Sequence, residues 1–138
     1  MSASFVDTNV LVYAYDDNEP KKRDRAIALL EELGRTDEII ISTQVLQEFY
    51  VTVTRKLARP LDDKDAGQAL EAWTEVPVVV VDANMVLAAA HLCRARSLSF
   101  WDALIVEAAR SRGCSRILSE DMQSGSDYDG LVVENPFA

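Results

Sequence analysis

Cysteine, histidine and glycine are scarce in this sequence, which removes several classes of site. The two cysteines, Cys93 and Cys114, lie far apart and form no C-x-x-C pair, so we expect reduced, partly buried thiols and neither a disulfide framework nor a zinc site. The single histidine, His91, is expected to be a helix residue and not a metal ligand. The five glycines form neither G-x-G-x-x-G nor a phosphate-binding loop, which argues against a glycine-loop nucleotide site.

Long apolar runs and an excess of positive charge are also missing. The apolar stretches at 39–41 and 78–81 are too short to span a bilayer, and the N-terminus lacks the basic and apolar segments of a signal peptide. We therefore expect a cytoplasmic protein with no membrane partner. The 14 basic and 23 acidic residues give a net charge of -9, which argues against holding nucleic acid by broad phosphate neutralisation. Any activity on nucleic acid must be local.

The sequence is instead rich in alternating strand and helix patterns. With 138 residues, 49% of them hydrophobic and 27% charged, the chain is expected to form a single domain over residues 1–138. Apolar runs predict strands at 3–6, 38–41, 78–81 and 116–118, and residues 131–133 are a candidate fifth strand. Because parallel neighbours need crossover connections, this alternation predicts an α/β fold with a mainly parallel sheet of four or five strands, covered on both faces.

Capping and stop signals predict the helices between these strands. Ser42, Asp62 and Asp82 are capping residues, and Gly34 and Gly113 are stop signals. The helices are predicted at about 10–15, 20–33, 43–57, 63–73, 83–96 and 100–112. The valine run at 78–81 is typical of a strand buried on both faces.

Four acidic residues are expected near one edge of this sheet. Asp7 and Asp121 follow predicted strands, and ligands gather beyond the carboxyl ends of parallel strands where the strand order reverses. Asp102 lies in the first turn of a crossover helix, whose N-terminal end lies at the same edge. Glu48 has to reach this edge from the middle of its helix.

Each of these acids also has a purely structural interpretation. Asp7 can cap the following helix, and Asp121 can stabilise a turn. Asp102 can complete a capping box with Ser99. Glu48 can belong to a solvated helix face, although apolar residues flank it at three-residue spacing. The combination of all four therefore carries more weight than any one of them.

Carboxylates brought together repel one another unless they are protonated or bridged by a cation. An oxygen-only set suits Mg²⁺, or Mn²⁺, better than zinc or copper. Such an ion lowers the pKa of bound water and stabilises charge on phosphate oxygens, so the expected chemistry is phosphodiester hydrolysis. Arg55, Lys56 and Arg59 follow Glu48 along its helix, and they either steer phosphate or form solvated surface.

Taken in order, these motifs resemble those of the PIN domain family, and within it the VapC-like ribonuclease toxins of toxin-antitoxin pairs. The resemblance covers the whole chain. It rests on F-V-D-T-N-V-L at 5–11, Q-E-F-Y at 47–50, S-F-W-D-A-L-I at 99–105 and L-S-E-D-M-Q at 118–123, with G-L at 130–131 and N-P-F at 135–137. D-T-N alone is weak evidence, but the ordered blocks form a specific combination.

The resemblance implies a three-layer α/β/α fold and a role for each acid. By this resemblance, Asp7 and Asp102 are the main Mg²⁺ ligands. Glu48 and Asp121 are implied to complete the acidic pocket. All four are implied to be catalytic.

The resemblance also implies supporting residues and partners. Asn9 and Ser119 are implied to fix the geometry of water or metal. Glu120 is an alternative to Asp121 as the fourth acid, but the motif favours Asp121. The implied substrate is RNA. The implied protein partners are a second copy of the chain, in a homodimer, and a cognate antitoxin whose tail covers the active site.

The leading hypothesis is therefore a magnesium-dependent endoribonuclease that acts as the toxin of a toxin-antitoxin pair. One alternative is a non-catalytic PIN-like binding module whose acidic cleft recognises a basic partner segment without divalent ions. Another is a PIN RNA-processing nuclease outside a toxin pair, which shares the same chemistry. A neighbouring reading frame for a DNA-binding antitoxin would distinguish the toxin from the processing enzyme.

Overall fold

The computed structural model describes residues 2–138 and has a six-stranded sheet at its centre. The strands are β1 (Ala3–Val6), β2 (Glu38–Ser42), β3 (Val78–Val79), β4 (Arg116–Leu118), β5 (Asp127–Tyr128) and β6 (Leu131–Glu134). The α-helices are α1 (Thr8–Tyr13), α2 (Pro20–Thr36), α3 (Thr43–Val51), α4 (Asp63–Trp73), α5 (Ala83–Arg96) and α6 (Phe100–Ser111). A π-helix, Thr52–Lys56, directly follows α3.

The strands lie in the order β3-β2-β1-β4-β6-β5, and within the described residues only the β5-β6 pair is antiparallel. The chain runs outward from β1 to β2 and β3, then returns past β1 to β4, so the strand order reverses between β1 and β4. Phe5 of β1 pairs with Ile40 on one side and Ile117 on the other. This reversal creates a crevice at the carboxyl ends of β1 and β4, where ligands bind in such sheets.

Helices cover both faces of the sheet. Right-handed crossovers place α1 to α4 on one face and α5 and α6 on the other, because the direction of travel along the sheet reverses after β3. The packing agrees, since α1 contacts α2 and α3, α3 contacts α4, and α5 contacts α6. The prediction of an α/β fold with a mainly parallel sheet and three layers is therefore confirmed.

The core lies between the central strands and these helices. Phe5, Ile40 and Ile117 of neighbouring strands are fully buried, and Val45 and Phe49 of α3 are fully buried as well. Burying a side chain of this size contributes about 1.5–3 kcal/mol relative to leaving it exposed. The loops that form the crevice therefore follow well-packed central strands.

The third strand is shorter than the sequence predicts. β3 covers only Val78–Val79, and Val80 is 69% exposed. β3 is an edge strand that pairs only with β2, and β2 ends at Ser42, whose side chain caps α3. No strand residue therefore remains beside Val80 within residues 2–138. The prediction of a strand buried on both faces over residues 78–81 is wrong.

Three predicted helices differ in detail. α1 covers Thr8–Tyr13 and not 10–15, because Asp7 is its N-cap. α2 continues past Gly34 to Thr36, so this glycine is not the stop signal. Residues 43–56 are helical, but the α-helix gives way to the π-helix after Val51. No helix in residues 2–138 has both the length and the apolar character needed to cross a membrane.

The sequence predicts five strands at most, and β5 is the strand that it does not predict. It forms a hairpin with β6, and the turn residues Asp129 and Gly130 have positive φ angles of 58° and 95°. An Asp-Gly pair is a known signal for such a turn. A two-residue strand, however, has too little alternation of polar and apolar residues to be recognised from sequence.

Candidate active site

The four predicted acids line one cleft, of about 580 Å³, beyond the carboxyl ends of β1 and β4. This volume falls within the range of about 300–1,000 Å³ that is usual for ligand sites. Asp7 directly follows β1, and Asp121 follows β4. Glu48 comes from α3 and Asp102 from the first turn of α6. The four acids that line the cleft thus come from four separate segments of the chain.

Asp7 is the buried member of the set, with 5% of its surface exposed. Its Oδ1 accepts a hydrogen bond from the Thr8 N–H at 2.7 Å, and its Oδ2 accepts one from the Ser119 hydroxyl at 2.7 Å. Its main-chain N–H donates to the Leu118 carbonyl at 2.9 Å, which ties β1 to β4 at this point. Asp7 therefore caps α1, the structural role considered above, while it also lines the cleft.

Asn9 links the loops that follow β1 and β4. Its Oδ1 accepts a hydrogen bond from the Glu120 N–H at 3.0 Å, which fixes the orientation of the amide. Its Nδ2 therefore faces the acids and donates to Asp7 Oδ2 at 3.1 Å and to Asp121 Oδ2 at 3.3 Å. A shared donor of this kind offsets part of the repulsion between two carboxylates.

Ser119 is fully buried beneath the same loops. Its hydroxyl donates to Asp7 and accepts from the Met122 N–H at 3.1 Å, so it holds both the acid and the turn that carries Asp121. The structure thus places Asn9 and Ser119 in direct contact with Asp7.

Glu120 lies outside the group of acids that line the cleft. Its carboxylate accepts hydrogen bonds from the Tyr13 hydroxyl at 2.6 Å and from Lys22 Nζ at 2.7 Å. Burial alone would raise the pKa of Glu120, but these two hydrogen bonds outweigh it and hold the pKa below its usual value. This cluster has no local signal in the sequence, because Lys22 and Glu120 lie on distant segments.

Glu48 and Asp102 have fewer contacts than Asp7. Glu48 is exposed and accepts a hydrogen bond from the Thr8 hydroxyl at 3.2 Å. The Ser99 hydroxyl caps α6 by accepting a hydrogen bond from the Asp102 N–H at 3.0 Å. The capping partner of Asp102 is therefore the one predicted, and its carboxylate lines the cleft.

Burial is the main cause of the raised pKa values of two acids in this cleft, and neighbouring carboxylates add to it. Burial raises the pKa of Asp7 to about 6, although the hydrogen bonds that Asp7 accepts lower it. The charges of Glu48 and Asp121 add to the rise. Burial also raises the pKa of Asp102, where the hydrogen bond with Ser99 opposes the rise and the charge of Asp121 adds to it. These charges interact, as expected for neighbouring carboxylates.

The cleft fits a hard divalent cation in its chemistry, since every acid is an oxygen donor. It is not closed into a ready site, because no group of three or more Asp, Glu, His or Cys side chains within residues 2–138 lies close enough to hold an ion. Asn9 Nδ2 instead bonds to both Asp7 and Asp121. A cation held by three of these carboxylates would require them to lie closer together than they do here.

Most of the other residues that line the cleft are uncharged, and they include both polar and apolar side chains. Asp16, which the sequence reasoning missed, lines the cleft and accepts a hydrogen bond from the Asn18 N–H at 3.0 Å. Lys56 is the one basic residue among those that line the cleft, within the part of the chain described. Arg55 and His91 lie outside it, and His91 is an exposed residue of α5, as predicted.

Comparison with known proteins places this geometry in a family. The family model named PIN domain matches residues 4–123. No curated protein sequence is similar enough to this chain to count as a match.

Three solved structures illustrate the fold similarity. A chain of a toxin-antitoxin complex from Klebsiella pneumoniae has a TM-score of 0.72 and 16% identity, covering 96% of this chain and 97% of that chain. A chain of VapBC2 from Rickettsia felis, bound to a DNA fragment from their promoter, has a TM-score of 0.66 and 20% identity, covering 96% and 98%. VapC20 from Mycobacterium tuberculosis, a toxin that cleaves the sarcin-ricin loop, has a TM-score of 0.62 and 22% identity, covering 86% and 89%. Since the family model covers most of the sequence and these folds agree with it, the chain belongs to the PIN domain family.

Proposed function

We propose that this chain is a magnesium-dependent endoribonuclease that acts as the toxin of a toxin-antitoxin pair. The observation that carries the proposal is the convergence of Asp7, Glu48, Asp102 and Asp121 on one cleft at the point where the strand order reverses. A structural role explains one such acid at a time, but not four from separate elements. Membership of the PIN family and the fold similarity to toxin-antitoxin structures support the same conclusion.

Asp7 and Asp102 would hold the cation, with Mn²⁺ as a possible replacement for Mg²⁺. A bound ion would lower the pKa of water and stabilise the negative charge on the phosphate. Glu48 and Asp121 offer further acceptors for hydrogen bonds from the attacking water. Ser119 holds Asp7 through its 2.7 Å hydrogen bond, so the orientation of this carboxylate is set before substrate arrives.

The raised pKa of Asp7 makes the proposed reaction sensitive to acid. With a pKa of about 6, Asp7 is mostly ionised at neutral pH and mostly protonated at pH 5. Protonation competes with metal binding, because a ligand must be deprotonated to hold the ion. We therefore expect the Mg²⁺ concentration needed for activity to rise as the pH falls.

The test is cleavage of RNA by the purified full chain with and without Mg²⁺. Ribosomal RNA that contains the sarcin-ricin loop is a suitable first substrate, because VapC20 cleaves that loop, and transfer RNA is a second. Asp102→Asn should reduce the cleavage rate by more than about 100-fold, since even changes to outer-shell partners of a metal site cost 10–100-fold. Glu71→Gln, an exposed change on α4, is the matched control.

Two results would contradict this proposal. Cleavage that survives chelation of divalent ions would show that the reaction does not need a metal. Equal cleavage by Asp102→Asn and by the wild type would show that the acidic cleft is not the active site. Binding of a basic partner without divalent ions, together with no cleavage of either RNA, would favour the non-catalytic binding module. Circular dichroism of each variant checks that a loss of activity is not a loss of folding.

We also propose a cognate antitoxin that covers the cleft. The cleft joins a cluster of carboxylates to an apolar wall that includes Val12, Ile105 and Val51, the last of which is 44% exposed. A segment with a basic side chain and apolar neighbours would complement both parts. The product of the neighbouring reading frame should inhibit cleavage, and Val51→Lys should weaken that inhibition. A chain with no such neighbour would favour an RNA-processing nuclease.

We further propose that two copies form a homodimer through an apolar face of α5. Ala83, Val86, Leu87 and Ala90 recur at the spacing of one helix face, and Val86 and Leu87 are 40% and 69% exposed. Leu87→Glu should convert the dimer to a monomer in light scattering. Ile27→Glu, at a residue of α2 that is 39% exposed, should leave the dimer intact. A monomeric wild-type protein would contradict the proposal.

A further inference from the structure

Trp101 is an exposed aromatic residue at the edge of the acidic cleft. It is 61% exposed and is the one aromatic residue among the exposed large hydrophobic residues of the described chain. It nevertheless has fixed neighbours, because its ring packs edge-on against Phe100 with a centroid distance of 5.3 Å, and its carbonyl accepts a hydrogen bond from Gln44 Nε2 at 3.3 Å. A held but uncovered indole beside Asp102 presents a flat apolar surface to whatever enters the cleft.

Gln44 adds an incomplete hydrogen bond to the same wall. Its side chain lines the cleft, yet only 6% of its surface is exposed. Since its amide nitrogen donates to Trp101, its amide oxygen is the remaining acceptor, and this buried oxygen has no hydrogen-bond partner among residues 2–138. Buried acceptors without a partner are rare in folded proteins. A ligand with an N–H or O–H group would supply the missing donor once a turn of the Gln44 amide brings this oxygen to the surface of the cleft.

Lys56 provides positive charge to the same cleft. Within residues 2–138 it is the one basic cleft-lining residue, and no carboxylate lies within ion-pair distance of it. It ends the π-helix, where the Leu57 N–H donates to the Thr52 carbonyl at 3.2 Å. Short π-helical turns are rare and are frequently found at functional sites. Arg55, its neighbour of equal charge, does not line the cleft.

We propose that Trp101, Gln44 and Lys56 form a nucleotide subsite for the RNA that is cut at the carboxylates. A base stacks on the indole of Trp101, a donor group of that nucleotide bonds to the Gln44 oxygen, and a phosphate binds Lys56. This inference rests on the proposed ribonuclease function. An aromatic face, a polar acceptor and a cation match the base, the base edge and the phosphate of a nucleotide. An apolar protein segment would use neither Lys56 nor the stacking geometry.

Three substitutions of Trp101 test the stacking. Trp101→Ala should raise the KM for RNA by about 5- to 150-fold with a much smaller change in kcat, as expected for the loss of one stacked base. Trp101→Phe keeps an aromatic face and should restore most of the KM. Trp101→Leu keeps the apolar character alone and should resemble Trp101→Ala. Equal KM values for the Phe and Leu variants would overturn the proposal, and so would an unchanged KM for the Ala variant.

A spectroscopic measurement reports stacking without catalysis. Trp73 and Trp101 are the only tryptophans, so the Trp73→Phe variant has Trp101 as its single indole. In that variant, with Asp102→Asn added to prevent cleavage, titration with an unstructured RNA oligonucleotide should quench the tryptophan fluorescence. Binding of the oligonucleotide without quenching would show that no base stacks on Trp101.

Two neighbouring residues provide a matched test of the phosphate contact. Lys56→Gln and Arg55→Gln remove the same charge from adjacent positions, so they change the long-range field almost equally. Only Lys56→Gln should raise KM, and it should reduce the slope of log affinity against log salt by about 0.7, the value for one phosphate of a single strand. Equal effects of the two variants would contradict the subsite.

The failure of this subsite can be separated from the failure of the proposed function. If the wild-type chain cuts no RNA in Mg²⁺, the ribonuclease proposal is wrong. If it cuts RNA and the Trp101 and Lys56 variants keep the wild-type KM, the ribonuclease stands and the subsite is wrong. An unchanged KM together with weaker inhibition by the antitoxin would assign Trp101 to the protein partner instead.

Discussion

The two sides of the acidic cleft are built differently. On the side of β1 and β4, Asp7 and Asp121 are joined through Asn9, and Ser119 holds Asp7 from below. On the side of the helices, Glu48 accepts one hydrogen bond from a hydroxyl, at 3.2 Å. One side is therefore cross-linked by side chains, whereas the other depends mainly on the placement of its helices.

This difference teaches how four like charges can exist in one cleft. Hydrogen-bond donors on the strand side stabilise two carboxylates that lie close together, although burial still raises the pKa of Asp7 to about 6. On the helix side, Glu48 is exposed and solvated. We infer that the strand side is organised before a cation binds and that Glu48 and Asp102 complete the site by moving toward it.

The largest effect is expected from Asp7 in the absence of divalent ions. Its folded-state pKa of about 6 lies above the ordinary value of 3.8, so the folded state binds more protons between these pH values and loses stability as the pH rises. The full shift corresponds to about 3 kcal/mol. In chelator, unfolding by urea at pH 4 and pH 7 should show this loss in the wild type, and Asp7→Asn should lack it.

The control for Asp7 is Glu71→Gln, which should follow the wild-type pH dependence. Asp7→Asn should also lose cleavage, so stability in chelator and activity in Mg²⁺ should change in opposite directions at pH 7. Burial of the ionised Asp7 carboxylate is expected to destabilise the folded protein at pH 7. A wild-type protein that is more stable at pH 7 than Asp7→Asn would contradict this expectation.

The next effect concerns the helix side and Mg²⁺. An ion that binds only the folded state stabilises it by about 2.7 kcal/mol at a concentration of 100 times Kd. Thermal unfolding should show this stabilisation in the wild type, and Asp102→Asn should lose most of it while keeping its stability in chelator. Glu48→Gln should lose less, since Glu48 is not one of the two proposed main ligands. Unchanged stabilisation in Asp102→Asn would mean that the strand side binds the ion alone.

The same distinction explains what the sequence could and could not predict. Asp7 and Asp102 carry local signals, since each lies at the start of a helix next to a recognisable strand or cap, and the motif order places them in one family. The contacts of Glu120 with Lys22 and Tyr13 have no local signal, because they join distant segments. The exposure of Val80 has no local signal either, since it depends on where the neighbouring strand ends.

A smaller effect is expected from the hydroxyl beneath the strand side. Ser119→Ala removes the hydrogen bond to Asp7 and leaves the Met122 N–H without its acceptor. The loss of stability should be about 1–3 kcal/mol, the cost of an unsatisfied buried group, and cleavage should fall by about 10–100-fold. Ser4→Ala is the matched control, because Ser4 is equally buried and bonds to Asp37 and Arg116 outside the cleft.

Ser4→Ala should lower stability without changing the Mg²⁺ dependence of cleavage. If both serine variants lose activity only in proportion to their loss of stability, Ser119 has no role beyond packing, and the strand side is not specially organised. Activity assays at a temperature where both variants are fully folded separate these outcomes.

The smallest effect is expected at the outer end of the strand side. Tyr13→Phe removes the hydroxyl that donates to Glu120 at 2.6 Å and accepts from Lys22 at 3.3 Å, while the ring can still pack against Phe137. Because Lys22 remains paired with Glu120, the loss of stability should be below about 1 kcal/mol, as for partly exposed polar contacts. Urea unfolding should show a small fall in midpoint with an unchanged slope. If Tyr13→Phe loses as much stability as Ser119→Ala, the organised part of the strand side includes Glu120. The turn that carries Asp121 is then held by hydrogen bonds at both Ser119 and Glu120.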